Sequence, residues 1–276
     1  MTDVGDDIMR DMTIGQFYSV DSAIHRLDPR VKIVITFVYV ISLFFLRSFP
    51  TLFVAFIALL VYIGLSKVPV KYILKGTKGL IWFILFTVLL QMLTVQGSEA
   101  VFEWGIIRIT VTGIISSCYL FARLILMIVG SSMMTYTTTP NSLTDGLEKL
   151  LKWMNKIKIP VHELAMMMSI ALRFIPVLTE ELDRIMKAQM ARGIDFKEGN
   201  VFERLKKMMP IIVPLFVSAI RRSNDLALAM DARCYHGGEG RTKMKPLEYK
   251  NTDFAAYAFV ILYLFMIVFV KKHIVV

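Results

Sequence analysis

The chain has 276 residues, 56% of them hydrophobic, and a formal net charge of +10 at pH 7. Its mean hydropathy is +0.60, and its apolar share exceeds the roughly 45–50% of ordinary soluble domains, so the composition speaks for membrane spans rather than one large soluble core. The basic balance then belongs to loops and anionic lipid headgroups, since no nucleic-acid-binding motif is present to draw it elsewhere.

The N-terminus, MTDVGDDIMRDM, is acidic and has no hydrophobic core segment, so no cleavable signal peptide is expected. The first apolar run is Val31 to Leu46. A second, Thr51 to Leu65, follows after RSFP, where a proline punctuates a hairpin. Further runs span Gly79 to Val95, Ile109 to Thr135 (with Arg123 its one charge) and Asp253 to Val270. Each approaches the roughly 17–25 residues that a spanning helix needs. His25, Arg26 and Arg30 precede the first run, and a loop carrying Lys67, Lys71, Lys75 and Lys78 precedes the third. Glu99 and Glu103 precede the fourth, with Arg108 beside them. The excess of lysine and arginine places the N-terminus and the lysine loop in the cytoplasm, and five spans then place the C-terminus outside. Asp28 caps the first span, with Pro29 in its first position.

From about Tyr136 to Thr252 the chain is mixed in charge but still apolar in stripes, which predicts a cytoplasmic helical domain. Thr139-Pro140 suits the start of one helix, with Leu143, Leu147, Leu150 and Leu151 on one face. Pro160 opens a second, in which Glu180 and Arg184, and Asp183 and Lys187, pair at i,i+4. Gly193 stops it. A third runs from about Val201 to Tyr235. Its middle, MMPIIVPLFVSAI, lies between Lys207 and Arg221, holds two prolines and is too short to cross a bilayer of roughly 30 Å. A buried or interfacial helix is expected there.

The chemistry that is missing narrows the function. No G-x-x-x-x-G-K-[ST] loop is present, and KGTKG lacks its spacing, so the chain is read as no ATPase itself. The spans hold no Asp or Glu in their interiors, where a proton-coupled carrier usually keeps one. Cys118 and Cys234 sit in unlike settings and predict no disulfide. Cys-Tyr-His at 234–236 lacks further metal ligands, and no G-x-S-x-G elbow occurs. Arg123 is expected to pair with carbonyls in the bundle.

Two helices each end in a lone arginine between small residues: Ala191-Arg192-Gly193 and Ala232-Arg233-Cys234. Arginine near a helix C-terminus is favoured by the macrodipole alone, by roughly 0.3–1 kcal/mol. A guanidinium on an unshielded helix tip can also enter a groove on another protein and hold a carboxylate with two parallel bonds. The apolar stretches Met166, Met167 and Met168, and Met208, Met209 and Pro210 through Pro214 to Phe216, either fill a core or supply an adaptable binding face.

These tips, with DSAIHRLDPRVK (Asp21 to Lys32) and ALRFIPVLTEELDRIMKAQMARG, resemble the transmembrane coupling component of energy-coupling factor (ECF) transporters, the EcfT/CbiQ-type family. The resemblance runs from Asp21 to the last span; Cys234 departs from it where glycine is usual. It implies an all-α integral membrane protein, multi-pass in a prokaryotic cell membrane, with about five spans and a cytoplasmic domain of long coupling helices. The parts would be residues 1–135, 136–252 and 253–276. It implies no cofactor in this chain, and partners in two ABC ATPase subunits, which bind ATP and magnesium and each receive one arginine-tipped helix. A substrate-binding S-component for a vitamin or metal ion would meet the methionine-rich faces. The rival readings are a stand-alone permease, which should transport by itself, and an intramembrane lipid enzyme, which would need a nucleophile or metal cluster.

Overall fold

The structure, a computed structural model, describes residues 17–46, 48–95, 100–104, 107–196, 200–238, 244 and 246–274, with the backbone alone over 100–108. The acidic N-terminus, Glu99, and much of the polar linker before the last helix lie outside the described residues. The elements in order are α1 (Pro29–Phe45), α2 (Phe49–Ser66), α3 (Val70–Thr94), β1 (Ala100–Trp104), β2 (Ile107–Thr110), α4 (Val111–Thr137), α5 (Pro140–Leu151), a 3₁₀ turn (Lys152–Ile157), α6 (Val161–Ala191), α7 (Val201–Asp231) and α8 (Asn251–Ile274). The described chain divides into two units, one holding residues 17–149 with 247–274 and the other lying within 150–246.

The first unit is a bundle of α1–α4 and α8, with α5 attached. Local chemistry starts its helices. The Asp28 carboxylate accepts from the Arg30 N–H at the mouth of α1, behind Pro29, as read from the sequence. Thr110 caps α4 by accepting from Gly113 N–H at 3.1 Å, and Thr139 caps α5 through Ser142 N–H at 3.3 Å. The core joins Leu43, Leu46, Leu52, Ala55, Leu59, Val129, Met133 and Tyr263 from four helices. Outward, large apolar side chains stand bare: Phe37 is 66% exposed, Trp82 82% and Phe265 63%. Helices that are apolar on both faces suit a bilayer, where packing and polar pairs rather than water exclusion hold neighbours together.

The polar pairs are few and buried. Arg123 donates to the Leu46 carbonyl at 2.6 Å and lies 4.8 Å from the Tyr119 ring centre. It thus caps the C-terminus of α1, as expected of a bundle arginine paired with carbonyls. Lys32, 3% exposed, does the same for α4, donating to the Thr137 carbonyl at 2.7 Å. The Asp253 carboxylate, 1% exposed, accepts from Asp28 N–H at 2.9 Å and from Lys250 N–H at 2.7 Å. It clasps the start of α8 to the start of α1.

Five helices are long and apolar enough to cross a membrane: α2, α3, α4, α6 and α8. The number agrees with the sequence reading, but the membership differs. α1 has 17 residues, at the lower limit for a span. α6 enters because residues 161–178 carry only Glu163 and Arg173; Glu180, Glu181, Asp183, Arg184 and Lys187 crowd its second half. The lysine loop is also largely helix. α3 starts at Val70, so Lys71, Lys75 and Lys78 ride on its opening turns, spaced to share one face. The region read as a loop before α4 holds an antiparallel hairpin, with Glu103 opposite Arg108 in register.

In the second unit α6 and α7, 31 residues each, pack together. Glu181 meets Arg222 at 3.2 Å, and Gln189 donates to the Pro210 carbonyl at 3.4 Å. Partner numbers that rise on one helix and fall on the other make the pair antiparallel. Pro214 explains the second bond. It lacks the N–H that would satisfy the carbonyl four residues back, and that carbonyl is Pro210's.

Candidate functional site

The two arginine tips share one backbone construction. At the end of α6, Gly193 N–H donates to the Met190 carbonyl and Ile194 N–H to the Gln189 carbonyl, while Gly193 takes φ +90°. At the end of α7, Cys234 N–H donates to the Asp231 carbonyl and Tyr235 N–H to the Met230 carbonyl, with Cys234 at φ +57°. Both are Schellman caps: one bond spanning six residues encloses one spanning four, and a left-handed residue closes the turn. Arg192 and Arg233 hold the same place in them, the last residue before the left-handed one. Cys234 does glycine's work at a cost, because a Cβ in that conformation is unfavourable by about 1–2 kcal/mol. Cys234, standing where glycine is usual in the resembled family, completes this cap with strain.

Ala191, Arg192 and Gly193 are all exposed, as are Ala232, Arg233 and Cys234. Among the described residues neither arginine is in an ion pair. The antiparallel register sets the tips at opposite ends of the pair. Counting along α7 from Pro210 to Arg233, and adding the turn from Gln189 to Arg192, gives roughly 35–40 Å along the axis.

The methionine groups also lie largely open. Met167 and Met168 are each 54% exposed, Met208 46%, Met209 53% and Phe216 65%; Pro214 is exposed, and Met166 and Pro210 are half-buried. The middle of α7 is therefore not core: only Ile211 of that stretch is buried. Two apolar stripes on one helix pair remain for another surface to cover. No three His, Cys, Asp or Glu side chains gather as a metal site among the described residues.

Sequence reasoning missed Lys32 and Asp253 as partners of the N-terminal signature. Arg30 pairs with Asp28 at 2.7 Å and stacks 4.1 Å from the Tyr249 ring centre. Around it, His25 Nε2 donates to the Tyr18 carbonyl at 2.9 Å and its Nδ1 accepts from the Ser22 hydroxyl at 2.7 Å. Burial holds the His25 pKa below its ordinary value. The Arg26 guanidinium lowers that of Asp21. The signature is a local brace for α1, and the only trace of its distant partners in the sequence is an acid at the head of the last apolar run.

A bundle of membrane-length helices leads into a pair of exposed, arginine-tipped helices, and proteins similar to this chain in sequence are transporter components. Residues 21–244 match the family model CbiQ, cobalt transport protein. The chain is 48% identical over 250 residues to the energy-coupling factor transporter transmembrane protein EcfT of Clostridium kluyveri, covering 90% of this chain and 93% of that protein. The EcfT of Acidaminococcus fermentans is 48% identical over 261 residues, 94% and 96% of the two chains, and that of Bacillus subtilis 44% over 246, 89% and 93%. The chain belongs to the EcfT/CbiQ family of transmembrane components of energy-coupling factor transporters, multi-pass proteins of the bacterial cell membrane.

Proposed function

We propose that the chain is the energy-coupling subunit of an ATP-driven importer, and that Arg192 and Arg233 are its contacts with two partner ATPases, which hold the ATP and magnesium. The observation that carries this reading is the pair of identically capped, exposed arginines at the two ends of one helix pair. Two like prongs held far apart suit two like sockets. Each guanidinium can meet a carboxylate with two parallel bonds, and once desolvated such an arginine is an interface hot spot of about 2 kcal/mol or more.

The apolar stripes at Met166–Met168 and Met208–Phe216 then face a substrate-binding S-component, which selects a vitamin or metal ion as cargo. Methionine's flexible, polarisable side chain suits a face that accepts changing partners. On this reading α6 and α7 lie on the cytoplasmic side. The apolar first half of α6 runs along the membrane interface rather than across it, since a crossing α6 would put the two tips, at opposite ends of the antiparallel pair, on opposite sides of the membrane.

Arg192→Glu combined with Arg233→Glu tests this. Co-purification of the ATPases and uptake by the reconstituted complex should both be lost, and each Arg→Lys variant should retain part of both, keeping the charge without the fork. Normal assembly and uptake in the double glutamate variant would reject the prong mechanism.

A further inference from the structure

We propose that the turn joining α5 to α6, residues 149–158, is an interfacial anchor that binds the anionic headgroups of the bilayer at the end of the bundle where α1 begins. Its sequence is KLLKWMNKIK. Lys149, Lys152, Lys156 and Lys158 fall within it, and no acid occurs between Lys149 and His162. Trp153 is 60% exposed and Ile157 61%, and Lys152, Lys156 and Lys158 are exposed as well. A tryptophan standing in open solvent among lysines is costly for a soluble surface. It is what the boundary between hydrocarbon and headgroups selects, with the indole at that boundary and the ammonium groups reaching phosphates.

The bundle fixes where α5, the helix that leads into this turn, lies. The bond from Lys32 to the Thr137 carbonyl puts the start of α1 and the end of α4 at one end of the bundle. α5 begins there and lies across the mouth of α1. At Gly146 a Cβ would stand 3.0 Å from the Pro29 Cβ and 3.1 Å from the Ile33 Cδ1, so glycine lets α5 sit against α1 without pushing these neighbours aside. α5 therefore keeps to the bundle's end instead of leaving it, and the chain reaches Trp153 two residues after α5 stops.

The turn is also fixed in shape. The Asn155 side chain accepts from Val161 N–H at 3.3 Å, Ile159 N–H donates to the Met154 carbonyl at 3.4 Å, and Lys158 sits at φ +63°. A rigid turn presents its lysines without first having to order them. An acidic protein surface would complement the charge equally well, but the turn follows directly on a helix of the membrane bundle, so we assign the lipid surface as its occupant.

The test uses the full-length chain in nanodiscs, with Trp82→Phe and Trp104→Phe leaving Trp153 as the sole tryptophan. In phosphatidylglycerol discs its emission should shift to the blue, and lipids brominated high on the acyl chain should quench it at least about twofold more than in phosphatidylcholine discs. Lys152→Gln, Lys156→Gln and Lys158→Gln together should abolish that difference, each lysine near an anionic surface favouring the bound state about fivefold. The difference in quenching between the native chain and Trp153→Phe gives the same reading with the other tryptophans in place. Water-like emission without quenching in both lipids overturns the proposal. So does equal quenching in both, which would mean insertion without headgroup recognition, and so does shielding that appears only when the ATPases are added.

Discussion

Replacing Cys234 with glycine and Gly193 with alanine should change the two tips in opposite directions. Nothing lies within 4 Å of a Cβ built on Gly193, so Gly193→Ala meets no clash. Its cost is the left-handed backbone at φ +90°, about 1–2 kcal/mol, less the roughly 0.4–1 kcal/mol by which losing a glycine orders the unfolded chain. The net is about 0.5–1 kcal/mol of local loosening. Cys234→Gly runs the same sum backwards and tightens the second tip by a similar amount. Amide hydrogen exchange reads each tip separately, through the outer donors of the two caps, Ile194 N–H and Tyr235 N–H. If local opening governs exchange, about 1 kcal/mol is about a fivefold change in rate. Exchange should quicken at Ile194 in the alanine variant and slow at Tyr235 in the glycine variant. Unchanged rates at both, or slower exchange at Ile194, would refute the claim that the left-handed residue limits each tip.

Asp253→Ala leaves the Asp28 and Lys250 N–H groups without their buried acceptor and should cost about 2–4 kcal/mol, seen as a lower melting temperature in detergent; Asp253→Asn, which keeps one acceptor oxygen, should cost less. Arg123→Met strips the Leu46 carbonyl of its donor and should cost about 1–3 kcal/mol, with exchange quickening at the end of α1. His25 is held neutral by burial, with its pKa lowered, so the unfolded chain takes the proton more readily. Its contribution is whole above about pH 6.5 and declines as pH falls below that. His25→Gln should flatten the melting temperature between pH 7 and pH 5.

The spans were legible because a run such as Phe49–Ser66 has one physical explanation, and Asp28-Pro29 announced α1 through capping chemistry that is local. The opening turns of α3 were not, because Lys71, Lys75 and Lys78 weigh as loop residues when counted and as one helix face only when spaced. The arginine tips showed as residues flanked by alanine, but not as matched caps. A positive φ at cysteine leaves no mark in composition, and only the bonds to Asp231 and Met230 reveal it. The clasp at Asp253 was beyond reach for another reason: its partner Asp28 lies at the far end of the chain, and pairing across such a separation follows from the fold, not from spacing.

Pro214 carries a consequence beyond its own helix. Because it leaves the Pro210 oxygen to be met by Gln189, sliding α7 past α6 by one position would carry that oxygen away from its donor. The separation of the two arginine tips is thus gauged by where one imino acid falls in the chain. Moving that proline a full turn would move the fastening point by about 5.4 Å and shift one tip along the pair relative to the other.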